Sequence, residues 1–240
     1  MMSKMVKLLY RPVFRWAIRR TLVGRSRSLE AVERGRFTRA DTDRLLVRTW
    51  QLYDELAPRV PREKKLGPHM NVHLAAATVA FQRALVEAGV EESYAIGLTT
   101  DCAWTIYERW GRLARRVARI RTRDQAEQMR ICIDDFLRFP FTPPCYRFQR
   151  SEPEAGTVAF DMHRCPVADY MSAEDASDLC VAAWCNQDFA LAEGWGGVLH
   201  RTKTLANGDD HCNFRFVADA DAPDRDDTGA GTVVGQGPRR

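Results

Sequence analysis

Phe139-Pro140-Phe141-Thr142-Pro143-Pro144 divides the chain into two unlike halves. Three prolines in six residues remove backbone donors and fix φ, so neither a helix nor a central strand runs through this stretch. Before it, apolar residues recur at helical spacing. After it come short alternating runs rich in β-formers, separated by turn residues. A run of helices followed by a run of strands predicts an α+β fold: a helical N-terminal half, then a small antiparallel β-sheet with a crossing helix.

Upstream of the divide, Thr38 is an N-cap for a helix reaching Ala57, with Leu45, Leu46, Trp50, Tyr53 and Leu56 on one face. Pro58 and Pro61 end it. Pro68 and Asn71 open an alanine-rich helix that passes through Leu85 and is capped by Gly89. A longer helical region follows from Glu91 to Ile120, with an interruption expected between Gly97 and Thr100. Gln125 to Phe136 forms a further helix. Downstream, Tyr146 to Arg150 and Thr157 to His163 read as a hairpin. Ser172 caps the crossing helix, Ala173 to Leu191. Val198 to Leu205 and His211 to Val217 read as a second hairpin, turning at Asn207-Gly208.

The 240 residues carry a net charge of only +4, but the charge is uneven. Eleven Lys or Arg precede Ala40 against Glu30 and Glu33, a local +9 that leaves the rest of the chain at −5. Residues 1–37 therefore read as a basic N-terminal arm, 38–217 as one domain (helical over 38–138, sheet over 145–217), and the Asp-, Pro- and Gly-rich 218–240 as a disordered tail. An acidic body argues against nucleic acid as partner. Pro12 to Leu22 is a helix with Phe14, Trp16 and Ile18 among arginines. It suits an anionic membrane surface, or docking on its own domain or on a second subunit of a homo-oligomer; docking is favoured because the apolar set is not one-sided. With so few apolar residues, the arm is expected to be dispensable for folding. There is no secretory pattern and no apolar run of spanning length, and the seven cysteines are odd in number. This predicts a cytoplasmic protein with reduced thiols.

The chemistry-bearing side chains gather late in the chain, at Cys165-Pro166, Cys180, Cys185 to Asp188, and His200-Arg201 through Arg215. Cys165 ends a strand, where a nucleophile or ligand is commonly placed; a buried small hydrophobe is the plain alternative. Cys185 and Asp188 are three apart and share a helix face. They can act as thiol and base or as two ligands, or Asp188 can simply pair locally. Asp188 reads as mid-helix, where a carboxylate is no favoured helix former. Its weight should therefore fall on activity more than on folding. Cys180 falls off that face and reads as core, and Cys102, Cys132 and Cys145 read as structural. Cys165, Cys185, His200 and Cys212 form a zinc set in principle, without the paired spacing typical of zinc sites. His69 and His73 are four apart and either ligate a metal or are ordinary helix residues. Arg201 and Lys203 share a face by strand alternation, and an arginine fork suits a substrate carboxylate. Cys165, Cys185, Asp188 and Cys212 are expected around one cavity between crossing helix and sheet.

The order of these elements resembles the L-2-amino-thiazoline-4-carboxylic acid hydrolase family. That family shows a Cys-Pro after a strand, a Cys-x-x-Asp on the next helix, and a Thr-Leu-Ala-x-Gly hairpin ending in Cys-x-Phe. These stand here as Cys165-Pro166, Cys185 to Asp188, and Thr204 to Phe214. The resemblance runs from about Asn71 to Val217. It implies an enzyme of amino-acid or specialised metabolism that hydrolyses a cyclic amidine carrying a carboxylate, a C–N bond hydrolase whose product is of the N-carbamoyl-cysteine type. The amidine carbon would be attacked by Cys185, or by water activated by Asp188. His200 or His211 would protonate the leaving heteroatom, and Arg201 or Arg215 would hold the carboxylate. The Gly208 to Phe214 segment is also similar to 4-vinyl reductase domains, which implies a non-catalytic module for a small ligand or metal instead.

Overall fold

The computed structural model of the protein describes residues 2–25 and 36–219. The acidic tail expected over 218–240 lies outside the described residues, save Ala218, which closes the last strand, and Asp219. Among the described residues, five α-helices build the first half: α1 (Met2–Arg20), α2 (Arg39–Leu56), α3 (Leu66–Glu87), α4 (Glu92–Arg121) and α5 (Gln125–Arg138). Their ends follow local chemistry. Thr38 and Asp41 form a capping box, the Thr38 hydroxyl accepting from Asp41 N–H at 3.2 Å and the Asp41 carboxylate from Thr38 N–H at 2.7 Å. Gly89 takes a left-handed φ of 82°, closing α3. Glu91 and Asp124 cap α4 and α5 through the free amides of their first turns. The interruption expected within Gly97 to Thr100 does not occur: Thr99 and Thr100 return their hydroxyls to the carbonyls of Ala95 and Ile96, and α4 runs through.

Two expectations for the N-terminus are corrected. The helix begins at Met2, with Pro12 inside it rather than in its first turn. It is also no loose arm. Val6, Phe14, Ile18 and Leu22 are buried in the same core as α2, α3 and α4, Phe14 packs on Trp50 at 5.5 Å, and Arg19 grips Asp43 at 2.8 Å. Packing of this kind argues against the dispensability expected from composition, and truncation tests it.

The second half is a four-stranded antiparallel sheet in the order β1-β2-β4-β3, from β1 (Arg147–Arg150), β2 (Thr157–Arg164), β3 (Gly197–His200) and β4 (Cys212–Ala218). Between β2 and β3 the chain does not form one helix from Ala173 to Leu191. It forms α6 (Pro166–Ala173), α7 (Ser177–Cys180), a π turn (Val181–Cys185) and α8 (Gln187–Gly194). Pro166 sits at the first position of α6, where its missing N–H costs nothing, so Ser172 lies inside a helix rather than capping one. Asp175, at φ 56°, then ends α6 in the left-handed conformation. The second hairpin is also looser than its Asn-Gly suggested. β3 stops at His200, and Gly208 (φ 88°) closes a single 3₁₀ turn (Leu205–Asn207) in the long connection.

Burial falls into two cores. One joins α1 to α4 with α6 and α7; the other joins α5 and α8 to the inner face of the sheet. Tyr107, Cys165 and Leu205 pack against both, so the chemistry-bearing segment lies on the seam.

His69 and His73 lie edge to face at 4.8 Å, but the Nδ1 of buried His73 is engaged by the Tyr53 hydroxyl at 2.9 Å, which makes this a core contact. Burial lowers the His73 pKa from 6.5 to about 4. The unfolded chain therefore takes up this proton at a higher pH than the folded one. Stability should fall by up to roughly 3 kcal/mol as pH drops from 6.5 towards 4. Urea unfolding across that range should show the slope in the wild type and a shallower one in His73→Asn. Equal slopes would contradict this assignment.

Candidate functional site

A cavity of about 110 Å³ opens on the seam. Cys165, Cys180, Cys185, Asp188, Arg201 and Cys212 line it, with Tyr107, Tyr146 and Trp184 among the aromatic walls. Each reaches it for a local reason. Cys165 stands where β2 gives way to α6. Cys212 and Phe214 project from alternate positions of β4 onto the sheet's inner face. Cys185 ends the π turn, and Asp188 lies in the first turn of α8, where a carboxylate faces the helix's positive end. The mid-helix placement expected for Asp188 is thereby corrected.

Arg201 is a deeply set charge, its side chain only 3% exposed. It donates to Asp188 Oδ2 at 2.9 Å and to the Cys185 carbonyl at 3.0 Å, and its guanidinium lies over the rings of Phe189 and Phe214 at 4.9 and 5.3 Å. Its burial follows from the alternation of β3: Gly197 and Leu199 face inward, and Arg201, just past the strand's end, continues that parity, while Lys203, where the alternation has lapsed, stays outside and binds Asp210. The connection that carries Arg201 is tied down by Asn213 Oδ1, which accepts from the amides of Thr202 (3.0 Å) and Lys203 (2.7 Å). Asp188 keeps 27% of its side-chain exposure, on the cavity that it lines. Burial raises its pKa from 3.8 to about 6, against the opposing pull of Arg201. A carboxyl so placed changes protonation near neutrality.

Three of the thiols, Cys165, Cys185 and Cys212, are held neutral. Burial lifts Cys165 far above the usual range and Cys212 to about 12; Cys212 Sγ also accepts the Leu205 amide at 3.2 Å. Cys185 is raised first by its hydrogen bond with Cys180 and then by burial. Cys180 is a member that helical spacing missed. The two cysteines are five positions apart, a spacing that an α-helix turns apart but the π turn brings together; Asn186 N–H bonds to Val181 O at 2.8 Å across it. Tyr107 and Tyr146 were also missed, since a lone aromatic in a helix or beside a strand reads as core. Burial holds both phenols protonated, so each is an O–H donor in the wall; the Tyr146 oxygen accepts from Asn71 Nδ2 at 3.1 Å.

Three expected members lie elsewhere. His200 and Arg215 face each other on the outer side of the sheet, and Arg215 pairs with Glu154 at 2.6 Å. Period-two alternation puts them opposite Cys212 and Phe214. His211 precedes β4, with Nδ1 2.9 Å from Asp210, beside His163. With His200 outside, the zinc set Cys165, Cys185, His200 and Cys212 is not assembled. Among the described residues no group of three or more His, Cys, Asp or Glu is placed to hold a metal ion. Nor, among those residues, is any helix long and apolar enough to cross a membrane.

Fold and site thus define an α+β protein with a carboxylate–guanidinium pair and four thiols walled into a small aromatic cavity. The L-2-amino-thiazoline-4-carboxylic acid hydrolase family model matches residues 71–216, well over half of the chain, and the protein belongs to that family. The match begins in α3 and ends in β4, so it takes in every cavity residue named above. No curated protein and no solved structure matches the chain.

Proposed function

We propose that the protein is a hydrolase that opens a carboxylate-bearing cyclic amidine, with Asp188 as the general base. One observation carries this reading: a carboxyl with a pKa of about 6 is pinned by a buried arginine in the cavity that the family's own segment builds. Ionised Asp188 takes a proton from water as the water oxygen bonds to the amidine carbon. The bond from that carbon to the ring sulfur then breaks, which leaves the ring nitrogen carbamoylated. The sulfur takes up the proton that Asp188 removed from water, with the phenols of Tyr107 and Tyr146 as hydrogen-bond donors to the departing atoms, and the ring opens by addition of one water overall. Arg201 keeps N–H donors beyond the two that it spends on Asp188 and Cys185, and these suit the substrate carboxylate. The raised thiols favour activated water over attack by Cys185, since the thiolate is the nucleophile and burial withholds it. The histidines have no part in this scheme, because none lines the cavity.

The test is to incubate the purified chain with 2-amino-thiazoline-4-carboxylate and with the same ring lacking its carboxylate, following products by mass spectrometry. The expected product is substrate plus one water, formed from the carboxylated ring alone. Binding without turnover of any carboxylated cyclic amidine would instead make the chain a ligand-binding module.

A further inference from the structure

A second and larger cavity, of about 380 Å³, lies between α1, α3, α4 and α5. It shares Tyr107, Phe136, Phe141 and Trp184 with the small polar cavity, so the two meet along one aromatic wall. Asn71, on its own lining, reaches across that wall to Tyr146. Among the described residues its one charged lining member is Asp135, already paired with Arg121 at 3.2 Å. It reaches the surface at Trp110, Leu113 and Phe139, each at least half exposed. Its volume is more than twice the roughly 150 Å³ that accommodates benzene in an apolar protein cavity, and it falls in the range of small-ligand pockets. A void of this size forfeits packing on every wall unless something fills it. At the junction, buried Trp184 has an indole N–H with no acceptor in the protein, a donor that a bound polar group would satisfy.

We propose that the substrate is an amphiphile. Its carboxylate-bearing polar head sits at Asp188 and Arg201, a polar linking atom accepts from Trp184 Nε1, and an apolar tail fills the larger cavity. This rests on the hydrolase reading for the identity of the head; the tail is argued from the cavity itself. An unsubstituted thiazoline would leave that volume empty.

Titration calorimetry of the full chain with hexanoate, octanoate and decanoate, each below its micellar concentration, tests the tail separately from the reaction. Affinity should rise roughly three- to fourfold per added methylene. Ala103→Leu and Leu74→Phe, at positions that line the larger cavity and not the polar one, should each cut decanoate affinity at least tenfold while changing hexanoate less. Affinity that ignores chain length, or a length dependence that survives both substitutions, would overturn the proposal. Turnover separates the two readings. A chain that shows this length dependence yet opens no cyclic amidine overturns the hydrolase reading alone. A chain that opens an unsubstituted and an alkylated cyclic amidine carboxylate with equal kcat/KM overturns the amphiphile alone.

Discussion

A chain shortened to begin at Thr38 should lose cooperative unfolding, or lose most of its stability. Val6, Phe14, Ile18 and Leu22 are buried in the helical core. At about 1.5–3 kcal/mol for each side chain removed from water, their loss approaches the 5–15 kcal/mol that holds a typical domain together. The cut also exposes Trp50 and opens one side of the larger cavity, which Tyr10, Phe14, Ala17 and Ile18 close. Thermal unfolding followed by circular dichroism checks this. A truncated chain melting within a few degrees of the full one would mean that α1 is a passenger on the core.

The second large effect is on turnover. Asp188→Asn should lower kcat by more than tenfold, a rise in barrier of over about 1.4 kcal/mol, while the protein stays folded. The stability terms oppose one another. Lifting the Asp188 pKa from 3.8 to about 6 costs about 3 kcal/mol at neutral pH, which asparagine removes. Depriving buried Arg201 of its ionic partner costs about 3–5 kcal/mol, softened because the asparagine oxygen still accepts from it. The net loss should be about 2 kcal/mol or less by urea unfolding. For the wild type the sign is fixed: the Asp188 contribution to stability is present below pH 3.8 and is lost as pH rises through about 6. A fully active Asn variant would leave Asp188 as the holder of Arg201 and nothing more.

The helical half was legible wherever a local rule acts alone. Thr38 with Asp41, and Gly89 after α3, mark helix ends by chemistry that needs no distant partner. The proline run likewise marks the change from helix to strand. Site members placed by a strand end or by β alternation were legible too: Cys165 and Cys212 arrive at the cavity that sequence spacing predicts, and Cys185 and Asp188 reach it from either side of a helix junction. Errors came where the regular period breaks. The π turn carries Cys180 to Cys185, and the early stop of β3 leaves Lys203 outside although it shares the parity of Arg201; His200 was misplaced for lack of the strand's parity, which sets it outside with Arg215. Docking of α1 was the favoured reading, but its depth was not legible. Its arginines read as a solvated face and its apolar set as small, whereas Val6, Phe14, Ile18 and Leu22 are buried and Arg19 is paired with Asp43 across the α1–α2 contact. Tyr107 gave no signal at all, because only the meeting of the two cores makes it a cavity wall.

The central claim is that Asp188 is the base of a hydrolytic site, and the pH dependence of kcat/KM tests it most directly. With a carboxylated cyclic amidine measured from pH 5 to 9, and circular dichroism at each pH to verify that the protein stays folded where His73 weakens it below about 6.5, the rate should rise with pH through a single limb centred near 6. That limb should vanish in Asp188→Asn. A limb retained by the Asn variant, or one centred in the thiol range at about 8.5 and abolished in Cys185→Ser, would contradict the account and give the chemistry to the cysteine.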